Sequence, residues 1–475
     1  MALPNTDYGP ERIGTLLRNV HRVYFLGIGG VSMSSLAEMT LARGMGVGGS
    51  DRCDSARLER LRRMGAEVRV GNGTAIPEGY GAVVYTVAIP PDHPEYRDAE
   101  QKGLPLISRA DYLGYLTAGY RTRIGVAGMH GKSTCTAMCA SILLRADDDA
   151  TVLCGAELPA LGGDACRIGS TRERVVFEAC EYMDSFLRFR PNIAVVLNIG
   201  LDHVDYFRDM DGIRASFCRY AALVGPEGVL IRNADDLESE AAFRDVTVRT
   251  VTFSPDDPDA DYRAADIRQE CGRLSFTVLE RGERLCEITI GAVGTHNVCN
   301  ALAAIAAARE AGIDAETIAA ALADFRGTSR RMERKGTLNG AEVYDDYAHH
   351  PDEIRATLAG ARSLVPPGGR LICAFQPHTY SRTAGLFCEF AGAFRDADEV
   401  LLADIYAARE INESGVTSEQ LARAIGEACG IPAGCPGSLE ETVRALTARA
   451  RPGDLLLVMG AGDIGTVFSG MPLRN

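Results

Sequence analysis

No stretch of about twenty apolar residues occurs in the 475-residue chain, so no transmembrane helix is expected. The opening segment, MALPNTDYGPERIGTLL, lacks the basic region and apolar run of a secretory signal. No CxxC pair exists among the 14 cysteines. Cys135 and Cys139 share a helix face by their spacing, but no further ligands stand at zinc-site spacing. The cysteines, such as Cys373 in LICAF, therefore read as small buried hydrophobes in a reducing compartment. Short-period repeats and low-complexity tracts are missing too, and the acidic run at 147–149 reads as a solvated turn. Positive charge is in deficit: 50 Lys and Arg stand against 64 Asp and Glu, a net of −14. A chain this acidic is a poor general binder of nucleic acid or anionic membrane, and neither is expected as a partner. Local sites can still bind phosphates.

What is present is the composition of a folded enzyme, 46% hydrophobic and 24% charged. At roughly 100–200 residues per domain, the length predicts about three domains. Strand-like apolar runs alternate with helix-like segments, which predicts parallel sheets covered by helices. VYFLGIGG leads into a helix over about 32–43, and GAVVYTVAI and LPLIS are further strands. A second part restarts at RIGVAG and continues through RVVFEAC and IAVVLNIG. VRTVTFS, GRLSFTVLE and LCEITIGAV alternate apolar and polar residues, as strands of a small antiparallel sheet do. HNVCNALAAIAAAREAG reads as a helix ended by glycine. VYDDYA, RLICAFQ, EVLLADIY and DLLLVMGAG read as the parallel strands of a third part. The expected boundaries are 1–117, 118–328 and 329–475.

RIGVAGMHGKST carries the most chemistry. A strand runs into Gly128-Met129-His130-Gly131-Lys132-Ser133-Thr134, and a helix follows. Glycines let the backbone wrap a phosphate, and amides at the helix N-terminus point at it. Lys132 would reach the terminal phosphates and Ser133 would hold magnesium. The spacing departs from the general phosphate loop, because Val126 stands where its first glycine belongs. Two clusters follow other strands of this part, Glu178-Ala179-Cys180-Glu181 and Asn198-Ile199-Gly200-Leu201-Asp202-His203. In a parallel sheet both emerge at the edge where ligands gather. Glu178 and His203 could then complete a magnesium shell with Ser133.

A second glycine loop, Leu26-Gly27-Ile28-Gly29-Gly30, also joins strand to helix, and Asp51 ends the next strand. The third glycine of a dinucleotide fingerprint is absent, since Met33 stands in its place. NAD and another pyrophosphate, such as a UDP-sugar, both remain open as its ligand.

Taken together these segments resemble the Mur ligase family, over nearly the whole chain. GIGGVSMSSLA looks like the family's UDP-binding loop, and GMHGKST is similar to its shortened phosphate loop. EACEYMDSFL, LDHVDYF, GTHNVCNALAA, RRME, YDDYAHHPDEI, QPHTYSRT, DIYAARE and GAGDIG follow in the family's order, and three of them resemble its alanine-adding branch. The resemblance implies an α/β protein of three domains. These are a Rossmann-like N-terminal domain, a central P-loop ATPase-like parallel sheet with a small antiparallel sheet, and a C-terminal Rossmann-like domain. It implies ATP-dependent ligation of L-alanine to the carboxylate of UDP-N-acetylmuramic acid, with Mg2+, by a cytoplasmic monomer or weak homodimer.

Carried over by position, Gly29, Gly30, Val31, Ser32 and Asp51 would hold the UDP-sugar. Gly128 to Thr134 would wrap the phosphates, with Lys132 on the terminal ones. Ser133, Glu178 and His203 would serve the metal. His296, Asn297 and Asn300 would meet the adenine, Arg331 the γ-phosphate and Asp346 the ribose. Tyr347, His349, His378 and Arg382 would surround alanine. Four positions depart from the family's usual pattern. Gly200 stands where this branch often has glutamate, Asn72 where histidine is common, and Val87 where serine is common. Thr379 replaces an arginine of some members, which leaves Arg382 alone for the amino-acid carboxylate.

Overall fold

The computed structural model describes residues 3–71, 73–147, 149–200, 206–270, 272–408 and 410–474. They group into two compact units. The first contains Met1–Ala265, Thr277–Ile288 and Cys299–Asp324; the second contains Asp266–Phe276, Thr289–Val298 and Phe325–Asn475.

The first sheet comprises β1 (Arg22–Leu26), β2 (Gly46–Asp51), β3 (Glu67–Val70), β4 (Ala82–Tyr85) and β5 (Leu106–Ser108). Its order is β3-β2-β1-β4-β5 and every pairing is parallel. The chain leaves β1 toward β2 on one side and returns to β4 on the other. That switch point opens a crevice at the carboxyl ends of the strands. The helix Val31–Ala42, which follows β1, buries Met33, Leu36, Ala37 and Met39. It packs on β2 and also on the β7–β8 hairpin of the next sheet. The resulting core runs through both sheets, which is why they form a single unit.

The second sheet comprises β6 (Thr122–Ala127), β7 (Thr151–Leu158), β8 (Asp164–Arg167), β9 (Arg174–Glu178) and β10 (Ile193–Val196). It continues with β11 (Val229–Asn233), β12 (Thr250–Ser254), β13 (Tyr262–Glu270), β14 (Arg273–Glu280) and β15 (Glu283–Ile290). Its order is β15-β14-β13-β12-β11-β10-β6-β9-β7-β8. The alternating segment VRTVTFS was expected among the antiparallel strands. Instead its TVTFS portion is β12, paired parallel to β11 and to the start of β13. Alternation reports one wet face, not strand direction, and β12 sits near the end of the parallel run where one face is already exposed. β14 and β15 turn at Arg281 and Gly282, both with positive φ (51° and 85°), the geometry of a two-residue hairpin. The small antiparallel part therefore extends the central sheet.

The second unit is built on β16 (Glu333–Leu338), β17 (Ala341–Asp346), β18 (Leu371–Phe375), β19 (Glu399–Ala403), β20 (Ala433–Gly437) and β21 (Leu455–Met459). Its order is β16-β17-β21-β18-β19-β20. β16 alone runs antiparallel, through an Asn339-Gly340 turn. The strands LICAF and LLLVM are buried at every residue, as the continuous apolar runs of a doubly covered parallel sheet should be. Among the described residues no helix is long and apolar enough to cross a membrane. Cys135 and Cys139 are buried in the helix Lys132–Ala146.

Candidate active site

The register of the central sheet brings three chain segments to one edge. Val126 of β6 aligns with Glu178 of β9, and Ala127 aligns with Val196 of β10. The phosphate loop, the Glu178 cluster and the Asn198 cluster therefore leave the sheet side by side. Asn198 holds the loop: its Oδ1 accepts the His130 amide at 2.9 Å, its Nδ2 donates to the His130 carbonyl at 3.1 Å, and its own carbonyl accepts the Met129 amide at 3.2 Å. Gly131, at φ +85°, caps the helix Lys132–Ala146. A Cβ there would lie 2.4 Å from Asn300 Oδ1. Asn300, expected near adenine, is thus placed against the turn of the phosphate loop. The amides of Lys132, Ser133 and Thr134 occupy the first helical turn, where no intrahelical acceptor exists.

Lys132 Nζ donates to the carbonyls of Gly128 and Met129 and to Glu181, at 3.2 and 3.1 Å from its two carboxylate oxygens. Burial alone would lower the lysine pKa. Glu181, itself 2% exposed, together with Cys180 and Glu178 outweighs burial and raises it, so the ammonium stays charged. Glu178 Oε1 accepts the Gly155 amide at 2.5 Å and lies 3.4 Å from the Cys154 thiol. Among the described residues neither Glu178 Oε2 nor Ser133 Oγ has a hydrogen-bond partner. Two open oxygen donors beside a phosphate loop fit a hard divalent cation. His203, the third expected ligand, and Asn72 lie outside the described residues. A side chain at Gly200 would meet Met129 Sδ at 2.5 Å, so the phosphate loop's own methionine occupies the space a glutamate would need.

At the switch point of the first sheet, the Gly29 amide donates to Asp51 Oδ2 at 2.9 Å, and Gly30 caps the helix that begins at Val31. Asp51 thus braces the glycine loop. Ser32 Oγ accepts from Arg109 Nη1 at 3.1 Å.

The remaining candidates lie in the second unit. Asp346 accepts the amides of Met332 and Ala348, each at 2.8 Å, and the Thr357 hydroxyl at 3.3 Å. The rings of Tyr347 and His349 are 5.4 Å apart, those of His349 and His378 6.0 Å, and Arg382 Nη1 lies 3.4 Å from His378 Nδ1. The four residues expected around alanine therefore form one cluster. Tyr406 stacks on His378 at 5.5 Å, and Glu353 contacts both His349, at 3.3 Å, and Arg331, at 3.8 Å. Thr379 caps the Arg382 amide from a strained backbone at φ +66°. His296 is exposed, whereas Asn297 is buried and donates to the Val293 carbonyl at 2.7 Å.

Sequence reading missed Glu181, Asn198, Glu353 and Tyr406 as site residues. Each lies inside a quoted motif, but only the folded contacts give it a role.

Among the shifted groups of the second unit, His349 and Asp345 move with opposite sign. Burial drives His349 down to about 4, with Arg382 helping and Glu353 opposing. The ring is neutral at pH 7, and its Glu353 contact is not an ion pair. Burial raises Asp345 to about 6 against the pull of Arg330 and Lys335. Between about pH 4 and 6.5 the unfolded histidine holds the extra proton, so His349 costs stability as pH falls. Between about pH 3.8 and 6 the folded aspartate holds it, so Asp345 gains stability as pH falls. Urea unfolding from pH 7 to pH 4 should separate the two. Relative to the unaltered chain, Asp345→Asn should lose, and His349→Gln should gain, roughly 2–3 kcal/mol over that range. Parallel pH profiles for both variants would contradict the assignment.

The fold and the two strand–glycine turn–helix loops together define an α/β protein of the nucleotide-binding class, and models of one ligase family match it across its length. The Mur ligase family catalytic domain matches residues 22–121, the Mur ligase middle domain 126–308, and the Mur ligase glutamate ligase domain 330–462. The chain belongs to the Mur ligase family. It is 44% identical over 451 residues to UDP-N-acetylmuramate--L-alanine ligase of Lachnospira eligens, covering 94% of this chain and 96% of that one. It is 43% identical to the protein of the same name from Acetivibrio thermocellus, with 93% of each covered. Among solved structures, the UDP-N-acetylmuramate-alanine ligase of Thermotoga maritima superposes with a TM-score of 0.79 at 27% identity, covering 94% of this chain and 97% of that one. A murein peptide ligase from Psychrobacter arcticus superposes with a TM-score of 0.69 at 25% identity, covering 96% and 100%.

Proposed function

We propose that this chain is an ATP-dependent ligase that joins L-alanine to the carboxylate of UDP-N-acetylmuramic acid in peptidoglycan precursor synthesis. The observation that carries this reading is 44% identity, over 94% of the chain, to a relative named for that reaction. The phosphate loop, Lys132, Ser133 and Glu178 on one sheet edge support it. In this reading the enzyme works in the cytoplasm, and the divisions 1–117, 118–328 and 329–475 hold sugar nucleotide, ATP and amino acid in turn.

A carboxylate does not acylate an amine near neutral pH, so it must first be activated. A carboxylate oxygen bonds to the γ-phosphorus while the bond to ADP breaks, its electron pair leaving with ADP. The amine of alanine then attacks the acyl carbon, phosphate departs with the C–O pair, and the amine loses its proton. Donor and acceptor are both anionic, so charge neutralisation and positioning dominate the rate. Lys132 and the amides from Gly128 to Thr134 receive the phosphates. His296, Asn297 and Asn300 meet the adenine, Asp346 the ribose and Arg331 the γ-phosphate. Gly29, Gly30, Val31, Ser32 and Asp51 take the UDP-sugar. Tyr347, His349, His378 and Arg382 enclose alanine, with Arg382 on its carboxylate. Ser133 and Glu178, with His203, would hold magnesium, which when bound adds positive charge beside the triphosphate.

The test is phosphate release with UDP-N-acetylmuramic acid, ATP and a panel of acceptors: L-alanine, glycine, L-serine and the tripeptide L-alanyl-γ-D-glutamyl-meso-diaminopimelate. L-alanine should give the highest kcat/KM. One methyl group separates alanine from glycine by only about 1–3 kcal/mol, so some glycine turnover is expected. Preference for the tripeptide would replace this reading with that of a peptide ligase.

A further inference from the structure

Arg109 begins the helix Arg109–Thr117, directly after β5, and is half-buried. Its surroundings desolvate it enough to lower its pKa. Yet among the described residues no carboxylate faces it. Its Nη1 donates to Ser32 Oγ at 3.1 Å, and its other electrostatic neighbour is the Cys180 thiol. Lys132, the other desolvated cation at this site, has an acceptor of full charge in Glu181, at 3.1 Å. Withdrawing a guanidinium from water without a counter-charge is costly, and such a group is retained where a ligand supplies the anion.

The position of Arg109 narrows the choice of anion. It holds Ser32, in the first turn of the helix that follows the glycine loop. Cys180 is within electrostatic reach of both Arg109 and Lys132. Arg109 thus stands between the loop proposed for the diphosphate of the sugar nucleotide and the lysine proposed for the terminal phosphates of ATP. The group that must lie between those two is the reacting carboxylate.

We infer that Arg109, held by Ser32, binds the carboxylate of the sugar acid beside Lys132 and presents it to the γ-phosphate. This rests on the ligase reading proposed above. Arg109 bonds to both carboxylate oxygens or to one, and leaves an oxygen lone pair free to attack phosphorus. The pairing weakens as that charge passes to the transferred phosphoryl group, which Lys132 receives.

Calorimetric titration with UDP, UDP-N-acetylglucosamine and UDP-N-acetylmuramic acid tests this, because only the last carries the carboxylate. Arg109→Met should weaken UDP-N-acetylmuramic acid by roughly 10- to 100-fold. It should leave the other two ligands unchanged and should not lower the unfolding temperature, since an uncompensated charge has been removed. Arg109→Lys, which keeps the charge without the planar fork, should recover part of the affinity and bind where the methionine variant fails to fold. Equal loss for all three ligands would assign Arg109 to the diphosphate and overturn the inference. So would unchanged binding of the sugar acid. If the unaltered enzyme itself shows no preference for UDP-N-acetylmuramic acid over UDP-N-acetylglucosamine, the ligase reading fails first, and that result is read before either variant.

Discussion

Lys132→Ala should slow phosphoryl transfer by on the order of 10²–10³-fold, the usual cost of deleting one oriented charge from a transition state. It should also destabilise the protein, which a solvent-facing lysine would not. Lys132 Nζ is held by the Gly128 and Met129 carbonyls and by Glu181, and the two side chains are 16% and 2% exposed. Removing one partner of a buried ion pair costs about 3–5 kcal/mol when both are fully buried. The residual exposure of Lys132 places this pair at or below the lower figure. Loss of activity alone would therefore be ambiguous. The double variant Lys132→Ala/Glu181→Gln resolves it, because it removes both charges. Urea unfolding should show stability largely regained, while ADP release with the sugar acid and ATP stays at the level of the single variant. Near-full activity of Lys132→Ala would remove the lysine from the mechanism. Recovery of activity in the double variant would mean that Glu181, not the phosphate contact, had set the rate.

The second large effect belongs to a residue with no side chain. Gly131→Ala should weaken ATP binding by about tenfold or more, equivalent to at least 1.4 kcal/mol. Two costs add. The backbone at φ +85° is left-handed, which an L-residue adopts at about 1–2 kcal/mol. The new methyl would also stand 2.4 Å from Asn300 Oδ1 and 3.1 Å from Leu197 Cδ1. Asn300 is buried in the helix His296–Glu310 and Leu197 in the strand exit after β10, so neither can retreat far. The loop must give instead, and its amides then lose their aim at the phosphates. Nucleotide titration measures the loss. A variant that binds ATP as the unaltered chain does would show that the loop does not cradle phosphate in the form seen here.

The readable parts of the site are contiguous. GMHGKST, EACE, YDDYAHH and QPHTYSRT each place their groups within one turn or strand exit, where local spacing decides geometry. The phosphate loop was legible despite its missing first glycine, because strand, glycine turn and helix all appear in order. The unreadable parts involve distant segments. Nothing in LNIG announces that Asn198 clasps His130 with both ends of its amide. Nothing in SRAD announces that Arg109 reaches Ser32, 77 residues earlier. The direction of β12 was misread because alternation records which face is wet and is silent on the neighbour's polarity.

By itself, the order of apolar runs, glycine turns and caps determined an α/β chain with two phosphate-type loops, because those signals act over a few residues and need no partner. Only the tertiary structure decided which charges meet. Glu181 neutralises Lys132, Met129 fills the space beside Gly200, Asp51 braces Gly29, and Arg109 has no counter-charge among the described residues. Electrostatic pairing depends on distances of a few ångströms between segments far apart in the chain, and the packing of sheets and helices sets those distances.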